Sequence, residues 1–429
     1  MDTLSRLVTG GPTSSWSSVP PLRAVLELVQ EAARRVGNLV ELLTVLVACS
    51  ILAALLQGLL YRFGICHQNG MIRSFFPRKD KRRKEWDWCR PIDWENQRVL
   101  ITGGSSGIGF ELARLFCEGM ATRGPIKQLT IVGRDGTKLD TAKAALIASR
   151  ARASPRDGAE GLPLIETIQA DVSTPSGVSR VFQNRRHCYD VVICCAGGAL
   201  PGYFEEFTAE EFRAQMDCNY FSAVLVAQAA FREWKRAFLE EIVAKNNVRR
   251  GDVSIQLPRS AHRPRHIVFF SSMAAFAAIF GYSAYAPTKY ALRGLAEALM
   301  YEGRPYGIGV SVVFPPDTLT PGFDAENQRK PPATKACSEF SAGAALDAEK
   351  VARTALEGIT RRTYWITVGL DGYFLGALSA GFSPRGFGVL PILLLPILRC
   401  IVPYYVLRYH RIIARDTERR LREELRQSI

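Results

Sequence analysis

The chain has 429 residues with a formal net charge of +14, and 47% of its residues are hydrophobic, which suffices for one large domain with further segments at both ends. Its basic residues cluster beside two apolar stretches rather than along an aromatic surface, so a membrane surface is favoured as a partner and nucleic acid is not. The ten cysteines form no CxxC pair, which predicts reduced thiols in a cytosolic compartment and no metal site.

The N-terminal region predicts a membrane anchor. Residues 1–38 form a tail without recognisable chemistry, whereas Leu42 to Leu60 contain no charged side chain. At about 1.5 Å per residue such a helix nearly crosses a bilayer core of about 30 Å, and it lies too far from the N-terminus for a signal peptide. We predict a transmembrane helix over 39–61. Eight Arg or Lys residues against one Asp lie between Arg62 and Lys84, so the linker 62–92 and the domain beyond it are predicted to be cytosolic.

The stretch RVLITGGSSGIG, Arg98 to Gly109, predicts a buried strand, a phosphate-binding loop and the start of a helix. Glycines let the backbone approach a ligand, and the amides at a helix start favour an anion, so a pyrophosphate is the expected ligand. The spacing is not GxGxxG, and many such turns bind nothing. The candidate contacts are Gly103, Ser105, Ser106, Gly107, Ile108 and Gly109.

From Asp93 to Trp365, strand and helix patterns alternate, which predicts an α/β domain with a doubly wound parallel sheet over 93–372. The second strand, LTIVGR, ends at Arg134, where an NAD-binding protein usually carries a carboxylate for the ribose 2′-hydroxyl. Arg134, with Lys138 one turn later, suits a 2′-phosphate, so NADPH is favoured as cofactor. The adjacent Asp135 keeps open the alternative that Arg134 is only a solvated loop charge.

A tyrosine and a lysine at helical spacing form the candidate catalytic pair. In the segment YAPTK, Tyr285 and Lys289 share one helix face, and an ammonium beside a phenol stabilises the phenolate. Tyr285 then acts as general acid toward a carbonyl that receives hydride. Ser272, or alternatively Ser271, would hydrogen-bond the same carbonyl oxygen. Asn219 would hold a water in the proton path to Lys289, or would bond only backbone groups.

These elements occur in a familiar order over about 190 residues. TGGSSGIG, the Asp171-Val172 pair, the strand end CAG, Asn219, the serine pair and YxxxK together resemble the short-chain dehydrogenase/reductase family. The resemblance implies that Asp171 and Val172 lie beside the adenine ring and that Ala196 and Gly197 approach the cofactor closely. It also implies that Tyr285 and Lys289 contact the cofactor in addition to their catalytic roles. The segment with Pro316, Thr318 and Thr320 is then expected to close over the nicotinamide. Cys195 departs from the family, which usually has asparagine there.

A closer resemblance appears in PPDTLTPGFDAENQRKP, Pro315 to Pro331, and in Asp371 to Tyr373. These runs resemble a membrane-bound branch of the family that reduces long-chain 3-keto bases with NADPH in sphingolipid synthesis, which implies an endoplasmic reticulum membrane and a cytosolic active site. The alternatives are a membrane-anchored reductase of another apolar carbonyl, such as a retinoid, steroid or 3-ketoacyl chain, and an inactive NADPH-binding scaffold. The oligomeric state is left open, a homo-oligomer included.

Two further segments lie outside this pattern. Residues 235–265 read as a basic, irregular insertion without assigned function. Residues 373–407 are apolar but interrupted by prolines and an arginine, which favours a re-entrant or two-pass membrane hairpin over a straight span. The alternative is an apolar flap that docks on the catalytic domain. Residues 408–429 carry seven arginines and are predicted to form a basic cytosolic tail.

Overall fold

The computed structural model describes residues 91–119, 126–153, 163–183, 189–246, 265–342, 344–380 and 389–428. The predicted tail 1–38, the predicted transmembrane helix 39–61 and nearly all of the basic linker lie outside the described residues, as does the middle of the predicted insertion.

Seven parallel strands form the central sheet, in the order β3-β2-β1-β4-β5-β6-β9. Two further strands, β7 and β8, pair with each other in a small separate sheet. The strands in chain order are β1 (Arg98–Thr102), β2 (Gln128–Gly133), β3 (Leu164–Gln169), β4 (Val191–Cys194), β5 (Arg265–Phe270), β6 (Ile308–Phe314), β7 (Thr318–Leu319), β8 (Leu346–Asp347) and β9 (Trp365–Thr367). The prediction of a doubly wound parallel sheet is confirmed.

Helices cover both faces of this sheet. They are α1 (Gly107–Cys117), α2 (Gly136–Ala153), α3 (Pro175–Phe182), α4 (Ala209–Met216), α5 (Ser222–Asn246), α6 (Ala286–Gly303), α7 (Pro321–Arg329), α8 (Pro332–Ala342), α9 (Ala348–Thr360), α10 (Gly369–Leu378) and α11 (Val389–Ser428). Apolar residues of α1, α2 and α9 form one core with the sheet, and those of α3, α5 and α6 form the other.

The apolar run of β1 explains why it lies at the centre. Val99 and Ile101 pack into one core and Leu100 into the other, and all three side chains are fully buried. Successive side chains of a strand point to opposite faces, so only a strand covered on both sides tolerates an unbroken apolar run. β1 pairs with β2 on one side and with β4 on the other.

The predicted irregular insertion is wrong in its first part, because residues 235–246 continue α5 as a regular helix. The end of the insertion is regular too, since Arg265 begins β5. The Arg265 Nη1 donates to the carbonyl of Trp234 at 2.6 Å, and the Trp234 indole donates to the carbonyl of Tyr189 at 2.6 Å. Tertiary packing of this kind adds to the weak local preference for helix.

The C-terminal segment folds as one long helix, α11, which crosses the predicted boundary between residues 407 and 408. It packs against α8 and α10 of the catalytic domain. The Phe340 ring of α8 lies 5.2 Å from the ring of Tyr405, and the Tyr203 hydroxyl donates to Asp416 at 2.7 Å. These contacts agree with the alternative to a membrane hairpin, in which the segment docks on the catalytic domain. Among the residues that the structure describes, no helix is both long and apolar enough to cross a bilayer.

Candidate active site

The candidate site lies where the strand order reverses, between β1 and β4. To one side of β1 the chain adds β2 and β3, and to the other β4, β5, β6 and β9. Helices that follow β1 and β4 therefore leave on opposite faces, and a crevice opens at the carboxyl ends of the strands. The glycine loop after β1, the CAG segment after β4, the serine pair after β5 and the proline pair after β6 all lie at this edge.

The glycine loop fits a pyrophosphate. Gly103 has φ +70°, and a Cβ there would lie 2.8 Å from the Cα of Ala196. A Cβ on Gly109 would lie 2.3 Å from the carbonyl oxygen of Gly103. Only glycine therefore permits the loop to fold this tightly. Ser106 is the N-cap of α1, yet its side chain makes no hydrogen bond to the helix amides, which stay available to an anion.

The other loop residues support the same cradle. Ser105 and Ile108 are partly buried, and Ile108 packs against the core beneath the loop. Gly107 has φ +56°, and a Cβ there would lie 3.1 Å from the Thr320 methyl group. The loop after β1 and the segment after β6 thus meet. Thr320 uses its hydroxyl to accept from the amide of Phe323 and so caps α7.

Asn219 fastens the segment after β4 to the helix behind it. Its Oδ1 accepts from the amide of Gly198 at 2.9 Å, and its Nδ2 donates to the carbonyl of the same residue at 2.9 Å. Asn219 is fully buried and lies in a π-helical turn, Asp217–Phe221. A Cβ on Gly197 would lie 2.5 Å from this Oδ1 and 3.4 Å from the Nζ of Lys289. The Nδ2 also donates to the side-chain oxygen of Gln215 at 3.3 Å, so Asn219 is bonded to one backbone unit and to one side chain in this structure.

Tyr285 and Lys289 lie together at the start of α6, as their spacing predicts. Tyr285 is the N-cap residue, and the Lys289 Nζ lies 5.6 Å from the centre of its ring. Lys289 is only 5% exposed, and its Nζ donates to the carbonyl of Phe270 at 3.1 Å, at the end of β5. A cation is therefore held beneath the phenol with little access to water.

Burial changes the titration of both groups. It raises the pKa of Tyr285, and the hydrogen-bonding interaction with Ser272 offsets part of that rise. Burial lowers the pKa of Lys289 to about 8, against an opposing influence of Cys195 and Cys218. A phenol that keeps its proton is suited to donate it, and a lysine with a pKa near physiological pH is suited to exchange one.

The two adjacent serines face different ways. Ser271 is buried, and its hydroxyl donates to the carbonyl of Lys289 at 2.9 Å, so it fixes α6 rather than facing the crevice. Ser272 is only partly buried, accepts from the amide of Ala274 at 3.1 Å and interacts with the Tyr285 hydroxyl. The structure therefore brings Ser272, Tyr285 and Lys289 together and places Ser271 behind them.

At the far end of the crevice, exposed basic groups follow β2. Arg134 and Lys138 are exposed, and the carbonyl of Arg134 accepts from Gln169 at 3.0 Å. The Asp135 carboxylate accepts from the amide of Lys138 at 3.1 Å and caps α2, with the Lys138 Nζ at 4.0 Å. The Asp135 carboxylate therefore points toward the first turn of α2.

The remaining predicted cofactor residues make hydrogen bonds or packing contacts within the protein. Asp171 accepts from both the amide and the hydroxyl of Ser173, which lowers the pKa of its carboxyl, whereas Val172 is buried in the core. The amide of Ala196 donates to Thr102 at 3.2 Å. Thr318 is buried, and its hydroxyl donates to the carbonyl of Pro316 at 2.7 Å.

One group of polar residues beside Tyr285 escaped the sequence prediction. Tyr282 donates a hydrogen bond to Glu326, and the Lys330 Nζ lies 3.0 Å from Glu326 and 3.9 Å from Asp317. The ring centres of Tyr282 and Tyr285 are 5.7 Å apart. The signal was present in the run from Pro315 to Pro331, where Glu326 and Lys330 are four residues apart, but nothing in the sequence tied that run to Tyr282.

The matches to known proteins cover the part of the chain that contains the candidate site. The sequence model of the short chain dehydrogenase family matches residues 97–244 and 257–331. The 3-dehydrosphinganine reductase of Danio rerio is 32% identical over 329 residues, which are 76% of this chain and 88% of that protein. The 3-ketodihydrosphingosine reductase of Dictyostelium discoideum is 32% identical over 317 residues, 72% of this chain and 85% of that protein.

Solved structures agree on the fold. A short-chain type dehydrogenase/reductase from Mycobacterium marinum is 21% identical, superposes with a TM-score of 0.50, and covers 66% of this chain and 96% of its own. At that identity the likeness concerns the fold alone. The matched ranges contain the glycine loop, the serine pair and the Tyr285–Lys289 pair. This chain therefore belongs to the short-chain dehydrogenase family, and the relatives it resembles over most of its length are named 3-ketodihydrosphingosine or 3-dehydrosphinganine reductases.

Proposed function

We propose that this chain reduces the ketone of 3-ketodihydrosphingosine to the alcohol of dihydrosphingosine, with NADPH as the reductant. The observation that carries the proposal is the placement of Ser272, Tyr285 and Lys289 around one point of the crevice, in a chain 32% identical to reductases of that name. A carbonyl oxygen between Ser272 and Tyr285 would meet two hydroxyl donors at once.

Each side chain has a distinct role in this proposal. Bound NADPH supplies a hydride to the carbonyl carbon. Tyr285 donates its proton to the oxygen, on which negative charge develops, and Ser272 holds that oxygen by a hydrogen bond. Lys289 stabilises the Tyr285 phenolate that remains, because it is a cation in a site of low dielectric. Asn219 is a positioning residue, since its amide fixes the Gly198 backbone at the floor of the crevice.

The cofactor preference follows from the exposed basic groups after β2. Arg134 and Lys138 are exposed and would pair with a 2′-phosphate, whereas the Asp135 carboxylate caps α2 and the Asp171 carboxylate accepts from Ser173. A phosphate with two negative charges gains from guanidinium and ammonium partners, and a ribose hydroxyl gains from a free carboxylate. The glycine cradle accepts the pyrophosphate of either cofactor, so these exterior groups decide between them.

We also propose that the protein works at the endoplasmic reticulum membrane with its catalytic domain in the cytosol. The apolar stretch from Leu42 to Leu60, followed by basic residues up to Lys84, supports this by charge asymmetry. Residues 401–407 of α11 are all apolar, tyrosine or proline, and each is exposed, although Tyr404 and Tyr405 also contact Phe340; such an exposed apolar stretch suits contact with lipid. Protease protection of tagged termini in microsomes, and release by detergent but not by salt, would test the placement.

A single assay tests the catalytic proposal. Purified full-length protein in detergent is given NADPH and 3-ketodihydrosphingosine, NADPH oxidation is followed by absorbance, and the product is identified by mass spectrometry. We expect dihydrosphingosine in a one-to-one ratio with oxidised cofactor. A panel of retinoid, steroid and 3-ketoacyl carbonyls tests the alternative substrates. Cofactor binding without turnover of any ketone would instead favour the inactive scaffold.

A further inference from the structure

A partly buried ionic cluster lies beside the candidate catalytic tyrosine. Its members are Tyr282, which precedes Tyr285 by one turn, Asp317 in the segment after β6, and Glu326 and Lys330 of α7 and its C-cap. The Lys330 side chain is 1% exposed and the Glu326 side chain 13% exposed, so this ion pair is largely withdrawn from water. The Lys330 Nζ also lies 4.3 Å from the centre of the Phe323 ring.

The cluster is not neutral. Two carboxylates, Glu326 and Asp317, share the single ammonium of Lys330, so the three side chains carry a formal charge of −1. Burial and the Glu326 charge raise the pKa of Tyr282, so that phenol keeps its proton and donates to Glu326. The Asp317 side chain is 30% exposed and accepts from the Ser338 hydroxyl at 3.2 Å, so the excess charge is only partly buried. A partly buried negative charge without a full counterion is complemented by a cationic ligand.

The position of this excess charge matters for the reaction. The ring centres of Tyr282 and Tyr285 are 5.7 Å apart, and the amide of Tyr285 donates to the carbonyl of Tyr282 at 3.1 Å. The carboxylates of Glu326 and Asp317 both raise the pKa of Tyr285, after the larger influence of burial. In an empty site they thus oppose the phenolate that forms when Tyr285 gives up its proton.

We propose that Glu326, positioned by Tyr282 and Lys330, binds the ammonium group that the substrate carries on the carbon next to its ketone. The inference rests on the proposed function, because only an amino ketone offers a cation so close to the reacting carbonyl. Binding of that cation also offsets the effect of the carboxylates on Tyr285. The cluster therefore selects for an amino ketone and against an apolar ketone that lacks the charge.

The test compares two substrates on one enzyme. One is 3-ketodihydrosphingosine and the other is the same ketone without its amino group, each in the same detergent with saturating NADPH. For the unmodified protein we expect kcat/KM to be about 10- to 100-fold higher with the amino ketone, the range for one charge-assisted hydrogen bond. Equal kcat/KM for the two ketones overturns the proposal.

The variant Glu326→Gln keeps an acceptor for Tyr282 but removes the charge. We expect it to raise KM for the amino ketone by about 10-fold or more while KM for the other ketone stays within about twofold, and to bind NADPH normally by fluorescence titration. Asp324→Asn, which changes an exposed carboxylate of the same helix, is the matched control and should alter neither. Equal losses on both ketones would assign Glu326 a structural role only. No turnover of either ketone by unmodified protein would refute the proposed function itself.

Discussion

Replacement of Lys289 by methionine should reduce ketone reduction by about two orders of magnitude. The Nζ lies 5.6 Å from the centre of the Tyr285 ring in a site with little water. At that distance, with an effective dielectric constant of about 20, a unit positive charge stabilises a phenolate by about 3 kcal/mol, which is a factor of about 150 in rate. Methionine fills a similar volume without the charge, so the fold should survive.

The assay is kcat/KM for NADPH-dependent reduction of 3-ketodihydrosphingosine between pH 6 and pH 10, with Lys335→Met as control because that lysine is exposed on α8. Alkaline pH should not restore the Lys289→Met variant, since loss of protons cannot replace a missing cation. Activity within tenfold of the unmodified protein would refute the role given to Lys289.

The burial of Lys289 also leads to a prediction about the free energy of unfolding. Burial lowers the pKa of Lys289 from 10.5 to about 8, so in that interval the folded protein binds fewer protons than the unfolded chain. The free energy of unfolding of the unmodified protein should therefore rise with pH from about 8 to about 10.5, and this contribution should be absent from Lys289→Met. Thermal unfolding at several pH values measures it, and identical pH dependence in the two proteins would contradict the burial argument.

Three other substitutions test separate parts of the site. Tyr285→Phe should bind NADPH normally but lower the rate by about two orders of magnitude or more, whereas Tyr290→Phe, on the exposed face of α6, should not; single-turnover kinetics separates binding from chemistry. Arg134→Asp should shift the preference between NADPH and NADH by about 1.5 to 3 kcal/mol toward NADH, and an unchanged ratio of kcat/KM would count against a 2′-phosphate contact. Gly197→Ala places a methyl group 2.5 Å from the Asn219 oxygen, so it should lower the free energy of unfolding by about 1–3 kcal/mol and also reduce activity. Gly198→Ala is the control, because a Cβ there meets no atom within 4 Å. Equal melting temperatures of the two variants would show that the contact relaxes.

The parts of the fold that sequence could predict are those governed by local rules. The apolar run Val99 to Ile101, the glycines that follow it and the fourfold spacing of Tyr285 and Lys289 each reflect a constraint that acts within a few residues. The structure places all of these as predicted, because β1 is covered on both faces and Tyr285 is the N-cap of α6.

Other features depend on contacts between distant segments. Nothing local distinguishes Ser271 from Ser272, and only the packing of α6 against the end of β5 directs the first to the carbonyl of Lys289. The cluster of Tyr282, Glu326 and Lys330 likewise requires α7 to fold back over the start of α6.

The C-terminal helix shows a local rule overridden by packing. A proline inside a helix costs about 3 kcal/mol or more, which is one reason to predict a hairpin rather than a straight span over residues 373–407. The structure instead has one helix, α11, that includes Pro391, Pro396 and Pro403. Contacts with α8 and α10, and farther along the bond from Tyr203 to Asp416, hold it against the catalytic domain. Such tertiary contacts supply most of the stability of a helix in a folded protein.

The choice between an enzyme and an inactive scaffold can be argued from the energetics of Lys289. An NADPH-binding scaffold needs the glycine cradle, the basic groups after β2 and any contact of Lys289 with the cofactor, but it gains nothing from a proton-donating phenol beside that ammonium. Burial that lowers the pKa of Lys289 to about 8 disfavours its charged form, so folding with that charge works against stability at neutral pH. An apolar residue would fill the position without that penalty. Reduction of a ketone requires the charge, because it stabilises the phenolate of Tyr285 at the moment the proton leaves. The arrangement is therefore explained by catalysis, in spite of the departure at Cys195.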